Sequence, residues 1–381
     1  MDFNLTSEQQ QLQDAAIRLS QGRLMPWLAE HPADQPLPKS AMLKILGALA
    51  EFGLTGARVP VEGGGSGLGA LDYALVFEQL PPVIAVALIA HEGTASRLYA
   101  SGAAQTFPEI FESLIAGTRI ACTASTEPTT GSDPRSIKLK FTASDDPQQM
   151  LISGTKQWIT NGTIADIALV TGKSDESGEL LRVMVERSVS PYVAAEIPCV
   201  GLRQGHLSEL NFSQVPVPRA NALGNDNSTM KTLTQAWLIN RPLFGLLALT
   251  AARRARDIAL EHVKGRVQFG APLARKQLVQ EALVDIDASI QSARLLCLSA
   301  LHAADQGSAT QAQSAMAKRQ GVSVAEKAAS IAMRLCGGMG LATETGIERE
   351  TRDIKMFTIP DGTYEILTLI AGREITGESA L

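Results

Sequence analysis

Ile137-Lys138-Leu139-Lys140-Phe141 alternates apolar and basic residues with a period of two. Successive side chains of a strand leave the backbone on opposite faces, so this stretch reads as a half-buried β-strand. Working outward from it, short apolar runs such as Ile167 to Val170 sit between turn clusters, and that texture fills about residues 119–225. On either side the period becomes helical. Ser7 with Gln10 three positions later has the form of a capping box, and Leu12, Ala16 and Leu19 follow at helical spacing. A second helix is expected over about residues 40–52, where Met42, Ile45, Leu46 and Leu49 share a face and Gly53 supplies the stop. From about residue 228 long helices return, with Val279, Leu283, Ile286, Ile290, Ala293 and Cys297 stepping by four and three like a bundle seam. The expected fold class is mainly α with an inserted β domain. Its parts are an N-terminal α-helical domain at 1–118, a middle β domain at 119–226 and a C-terminal helical-bundle domain at 227–381. Neither an internal repeat nor a long Pro/Ser-rich linker separates them, so they are expected to pack as one unit.

The 381 residues exceed one ordinary domain of about 100–200. At 45% apolar residues the chain has the material for a large core, which excludes a disordered polymer. Lys plus Arg number 34 against 39 Asp plus Glu, and no basic run forms a phosphate-tracking stripe, so nucleic acid is excluded as the main partner. The N-terminal MDFNLTSEQQ lacks a basic stretch followed by an apolar one, and no segment reaches about 18 consecutive apolar residues. Neither a secretory signal nor a membrane span is expected, and a cytoplasmic protein fits best. Cys122, Cys199, Cys297 and Cys336 are far apart without metal-ligand spacing, so they are expected to be buried reduced thiols, with no metal site. Glu62-Gly63-Gly64-Gly65-Ser66-Gly67 lacks the lysine of a P-loop and follows no evident strand, which favours turn geometry over phosphate binding.

Five segments carry the chemistry. They are Ser125-Thr126-Glu127-Pro128-Thr129-Thr130-Gly131-Ser132-Asp133, then Gly154-Thr155-Lys156-Gln157-Trp158-Ile159-Thr160-Asn161-Gly162, then Arg266-Val267-Gln268-Phe269-Gly270 with Pro272 and Gln277. Cys336-Gly337-Gly338-Met339-Gly340 with Glu348-Arg349 and Arg352-Asp353 follows, and Asp361-Gly362-Thr363-Tyr364-Glu365-Ile366 closes the series. In this order, across nearly the whole chain, they resemble the acyl-CoA dehydrogenase family. The resemblance implies a middle β-barrel or sandwich, a C-terminal four-helix bundle and FAD as cofactor.

A flavin ring is flat, apolar on its faces and rich in acceptors along one edge, so its wall needs apolar surface with a few hydroxyl or amide donors. Thr126, Trp158 and Thr160 supply that mixture, and the resemblance puts Ser132 on the pyrophosphate. A pyrophosphate also wants a guanidinium fork or unencumbered backbone N–H groups. Arg266 and the turn at Gly337 and Gly338 offer these. The resemblance implies that they reach the FAD of a neighbouring subunit, with Gln268 and Phe269 near its adenosine half and Thr363 and Glu365 lining the same region. That composite site requires a homodimer or homotetramer.

The implied reaction is α,β-dehydrogenation of an acyl thioester, either acyl-CoA or acyl-carrier protein, with electron-transferring flavoprotein as electron acceptor. A carboxylate takes the α-proton while the β-carbon gives hydride to flavin N5. The aligned residue is Asp361, where the family usually has the glutamate of an EGT segment, and the aspartate reaches roughly 1.5 Å less far. Some members carry the base on the long helix instead; that position is Asn240, an amide, followed by Arg241, which is expected near the thioester or carrier end. Arg334 replaces a family glutamine and His262 a usual tyrosine. Two other readings use the same fold: a flavin-dependent monooxygenase, and a flavin-binding or structural subunit of a hetero-oligomer.

Overall fold

A computed structural model describes residues 4–223 and 228–380; the expected boundary at 226/227 lies outside them. Among the described residues seven α-helices precede the first strand: α1 (Ser7–Leu19), α2 (Met25–Ala29), α3 (Lys39–Glu51), α4 (Ala70–Phe77), α5 (Pro82–Ala100), α6 (Ala103–Thr106) and α7 (Pro108–Ile115). The capping box of α1 sits one residue earlier than the sequence reading placed it. Thr6 has extended backbone and its hydroxyl accepts from the Gln9 N–H at 3.2 Å, while Gln9 Oε1 accepts from the Thr6 N–H at 3.1 Å. Ser7 is already helical, and only the last non-helical residue can turn its side chain back on the first turn. Helix α3 buries Met42, Ile45, Leu46 and Leu49, and Gly53 after it is left-handed at φ 69°, as expected of the stop. The glycine-rich loop folds on itself, because Gly65, Ser66, Gly67 and Leu68 donate their N–H groups to Pro60, Gly56, Val59 and Ala57. Those donors are therefore spent within the turn.

The middle strands are β1 (Ala121–Ala124), β2 (Lys140–Ala143), β3 (Gln149–Thr160), β4 (Ile167–Ser174), β5 (Leu180–Glu186), β6 (Val193–Glu196), β7 (Leu207–Pro218) and β8 (Ala222–Leu223). They form one eight-stranded sheet in the order β6-β7-β3-β2-β4-β5-β8, with β1 added parallel to β4. Ile137, Leu139 and Phe141 are buried and Lys138 and Lys140 exposed, as the alternation requires, but the strand begins only at Lys140: residues 137–139 precede it, and the Lys138 and Leu139 N–H groups go to the Glu127 carboxylate instead of a neighbouring strand. Strand β4 is buried on both faces. Ala168 and Val170 face the sheet's own core with Ile152, Val183 and Phe212, whereas Ile167 and Leu169 pack with Ala95 and Leu98 of α5.

The last part holds α8 (Ser228–Gly265), a hairpin of β9 (Val267–Gln268) and β10 (Ala271–Pro272), then α9 (Gln277–Asp305), α10 (Gln311–Leu335), α11 (Ile347–Met356) and α12 (Tyr364–Thr376). Helices α8, α9 and α10 cross at Gly245 and Gly321; a Cβ on Gly321 would lie 2.9 Å from the Gly245 Cα, and one on Gly245 would lie 2.9 Å from Cys297 Sγ. Only glycine permits that approach. Along the expected seam Ile286, Ile290, Ala293 and Cys297 are buried, while Val279 and Leu283 are half-buried at the start of α9. One core joins Tyr73 and Phe77 of α4 to Leu247 and Ala251 of α8, so the first and last parts are packed as a unit. Cys122, Cys297 and Cys336 are buried free thiols, but Cys199 is only half-buried. Among the described residues no helix is long and apolar enough to cross a membrane.

Candidate active site

Asp361 lies in the turn between α11 and α12 with a left-handed backbone, φ 54°, followed by Gly362 at φ 117°. A non-glycine residue there costs about 1–3 kcal/mol and persists only where its surroundings impose it. Two cations impose it. Arg241 Nε donates to the Asp361 carbonyl at 2.9 Å and its Nη1 to Gln311 Oε1 at 2.7 Å. Lys318 Nζ donates to the Gly362 carbonyl at 2.7 Å and to that of Pro360. Both side chains are buried. Burial pushes the Lys318 ammonium down to about 7 and the Arg241 guanidinium down to about 10, each opposed by the charge of Asp361. Arg241, expected at the thioester, thus spends two donors on protein partners. Asn240 beside it carries a buried Oδ1 with no partner among the described residues.

Lys318 and Gln311 were missed from sequence. The signal was a lysine on the Ser314, Lys318, Gly321, Ala325, Ala328 stripe of α10, a row otherwise made of small residues, all five buried. A charge in a core row implies a fixed partner.

The residues expected to wall a flavin come together through one backbone bond, from the Gln157 N–H to the Thr126 carbonyl at 2.9 Å. Strand β3 is irregular between Lys156 and Ile159, and Trp158 there has φ 62°. The irregularity re-aims the indole: Ile159 is buried, whereas Trp158 is 51% exposed. Beneath them Lys156 Nζ donates to Glu127 Oε1 at 2.9 Å and to the Ser125 carbonyl at 2.7 Å. Glu127 also accepts the Lys138 and Leu139 N–H groups, each at 2.8 Å. Burial lowers Lys156 to about 8 against the pull of Glu127. For Glu127 burial acts upward, but the Leu139 N–H, Lys156 and the Lys138 N–H outweigh it and hold the carboxyl below its ordinary value. Thr160 is half-buried at the end of β3, and Ser132 is exposed next to Asp133, which caps Pro134–Ser136.

Arg266, Gln268 and Phe269 are exposed on the hairpin, whose two turn residues, Phe269 at φ 52° and Gly270 at φ 73°, have the signs of a type I′ turn. Phe269 at its tip is 95% exposed. His262 is half-buried in the preceding turn, its carbonyl accepting the Arg266 N–H at 2.9 Å. Gly337 and Gly338 are open to approach, with nothing within 4 Å of a built Cβ, and Arg334 before them is exposed. Thr363 caps α12 by accepting the Ile366 N–H, and the Glu365 carboxyl is held below its ordinary value by its own backbone N–H and then by the Thr363 hydroxyl. Among the described residues no hydrogen bond, ion pair or ring contact joins the hairpin or the 337–338 turn to Thr126 and Trp158. An uncovered indole beside two threonine hydroxyls fits a flavin ring, and the exposed Phe269, with Lys276 over its ring at 5.8 Å and Arg266 near it in the chain, fits a group arriving from outside this chain. Among the described residues no cluster of His, Cys, Asp or Glu could hold a metal ion.

Against known proteins, the chain matches the acyl-CoA dehydrogenase N-terminal domain over residues 6–117, the middle domain over 122–215 and the C-terminal domain over 229–376. It is 31% identical to a benzylmalonyl-CoA dehydrogenase of Aromatoleum aromaticum, covering 99% of this chain and all of the relative. The chain belongs to the acyl-CoA dehydrogenase family. A probable acyl-CoA dehydrogenase of Bacillus subtilis is 30% identical over 98% of this chain and 100% of its own length. Among solved structures, butyryl-CoA dehydrogenase from Megasphaera elsdenii superposes with a TM-score of 0.91 at 29% identity, over 99% of this chain and 100% of that one. The family fold of helical, β and helical parts is the one described above.

Proposed function

We propose that Asp361 is the base with which this chain, an FAD-dependent oxidoreductase of acyl thioesters, removes the α-proton of its substrate. The clamped turn carries this reading: Arg241 and Lys318 hold the Asp361 backbone in an unfavourable conformation without taking its carboxylate. Asn240, at the alternative position, has no basic atom. The two cations also favour the negative charge that develops toward the thioester carbonyl as the proton leaves. FAD, when bound, supplies the acceptor for the β-hydride. Thr126, Trp158 and Thr160 would flank its ring and Ser132 would meet its pyrophosphate.

Arg266, Gln268, Phe269, Gly337 and Gly338, with Thr363 and Glu365, would serve the cofactor of a second copy, making the working unit a homodimer or homotetramer. Support comes from exposed apolar side chains in this part, Val267 at 54%, Leu278 at 78%, Val284 at 65% and Leu341 at 80%, which ask for cover. The finer reading is a cytoplasmic enzyme that takes its acyl group from coenzyme A or a carrier protein and passes electrons to electron-transferring flavoprotein. Anaerobic mixing of the holoenzyme with a panel of acyl-CoA and acyl-carrier thioesters tests it. Bleaching of the flavin is expected. NAD(P)H-coupled oxygen uptake without bleaching would replace dehydrogenation by a monooxygenase, and neither response would leave a non-catalytic subunit.

A further inference from the structure

Two guanidiniums are held at one face of the middle sheet, and among the described residues neither makes an ion pair with a carboxylate. Arg97 of α5 donates through Nη1 to the Gly93 carbonyl at 2.8 Å and to Thr123 Oγ1 at 3.3 Å. Its Nε is buried without a partner among the described residues. Arg182 of β5 is 5% exposed. Its Nη1 donates to Thr232 Oγ1 of α8 at 2.8 Å, and both Nε and Nη2 are buried without a partner among the described residues.

Strand register puts the two together. Thr123 of β1 lies opposite Leu169 of β4, Leu169 opposite Met184 of β5, and Thr171 opposite Arg182. By alternation Thr123 and Ser125, Leu169 and Thr171, and Met184 and Arg182 share one face. Leu169 and Met184 pack there with Ala95 and Leu98, so it is the face turned to α5. A Ser125 Oγ to Thr171 Oγ1 contact of 3.1 Å lines it with hydroxyls, and Thr232 closes it from α8.

The charges do not balance. Glu92 is consumed by Arg58, whose Nε lies 3.1 and 3.0 Å from its two oxygens, and by Ser96 at 2.7 Å. Among the described residues that leaves Arg97, Arg182, Arg241 and Lys318 with one further carboxylate, Asp361, whose charge is felt at Arg97, Arg241 and Lys318. Arg97 and Arg182 repel each other, and burial holds both guanidiniums below their ordinary value. Buried charges without partners are kept where a ligand brings the partner.

We propose that this chamber takes the far end of the acyl group and that this end is a carboxylate, held between Arg97 and Arg182. The substrate class is then the monothioester of a dicarboxylic acid, its α-carbon at Asp361 and its free carboxylate against the sheet. This rests on the thioester dehydrogenase reading. A guanidinium fork meets two carboxylate oxygens at once, and the hydroxyls of Thr123 and Ser125 suit the same group.

The test uses the holoenzyme and pantetheine thioesters, the part that coenzyme A and carrier proteins share, with succinyl, glutaryl and adipyl groups and the ω-carboxamide of each. For the best-fitting length, flavin reduction is expected at least about a hundredfold faster in kcat/KM for the acid than for its amide, since a site built for a charged partner rejects the analogue lacking it. Arg182→Met should bring that ratio to within about threefold, and Arg182→Lys should restore part of it, which a merely unfolded variant would not. Reduction by amides as fast as by acids overturns the chamber and leaves the dehydrogenase standing. If no thioester bleaches the flavin, calorimetry with free glutarate and adipate decides separately. Binding that Arg182→Met abolishes keeps the anion site while the reaction reading fails, and no binding removes both.

Discussion

Arg241 Nε donates to the Asp361 carbonyl at 2.9 Å across 120 positions of sequence, so the long helix grips the backbone of the proposed base and not its carboxylate. Arg241→Met should therefore act by misplacement. Flavin content is expected to stay at that of the parent, and the rate of flavin reduction to fall about a hundredfold, the usual consequence of a shift near 1 Å. Stopped-flow reduction beside the flavin spectrum checks this; an unchanged rate would show that the turn holds its shape without the clamp.

Asp361→Asn keeps the side-chain shape and removes the base. Flavin reduction by the best thioester should drop by at least about two orders of magnitude, the span of a general-base contribution. Asp361→Glu should stay active and alter the preferred acyl length, because the added methylene advances the carboxylate and takes room from the substrate. Parent-like reduction in the asparagine variant would place the base elsewhere.

Lys318 links the same turn to pH. Folded, its ammonium releases the proton at about 7, because burial outweighs Asp361, whereas an unfolded lysine does so near 10.4. Below about pH 7 both states carry the proton and the cost of the buried charge is constant. Between about pH 7 and 10 the unfolded chain binds more protons, so this group makes the fold more stable as pH rises, by up to ~1.4 kcal/mol per pH unit. Urea unfolding of the parent and Lys318→Met at pH 7.0 and 8.5 should show the parent gaining up to about 2 kcal/mol on the variant. Equal slopes would give Lys318 an ordinary proton affinity.

Beneath the proposed flavin wall, Lys156 and Glu127 are a buried pair with side-chain exposures of 0% and 4%. Lys156→Met leaves the Glu127 charge and the Ser125 carbonyl without that donor. A loss of about 3–5 kcal/mol is expected, as when one member of a buried pair is removed, together with weakened flavin retention because Ser125 adjoins Thr126. Thermal unfolding and flavin content are the readouts. A variant within 1 kcal/mol of the parent would mean that the two N–H bonds suffice for Glu127.

Arg266→Ala addresses the composite site. The residue is exposed at the base of the hairpin, outside the hydrogen-bond network of Thr126 and Trp158, and loss of FAD should accompany a weaker oligomer. Flavin absorbance and light scattering on the same sample test both. Full flavin occupancy in the mutant would make the guanidinium a surface charge of its own chain.

Local pattern sufficed for much of this protein. Alternation at 137–141 marks the inserted sheet, Gly53 ends its helix, and the order of five short segments identifies the family. These are properties of neighbours in the chain, set by backbone period and turn chemistry. Even there the cap of α1 shifted from Ser7 to Thr6, since a cap depends on where the backbone leaves the extended conformation. What only the tertiary structure decided is the fate of the buried charges: Arg241 and Lys318 turned onto the Asp361 loop, Lys156 onto Glu127, Arg97 and Arg182 brought to one face of the middle sheet. Periodicity can say that a residue points inward. Whether an inward charge meets a carbonyl, a carboxylate or nothing depends on residues about 30 to 120 positions away, brought opposite by packing, and the electrostatic energy of a buried group is set by that partner.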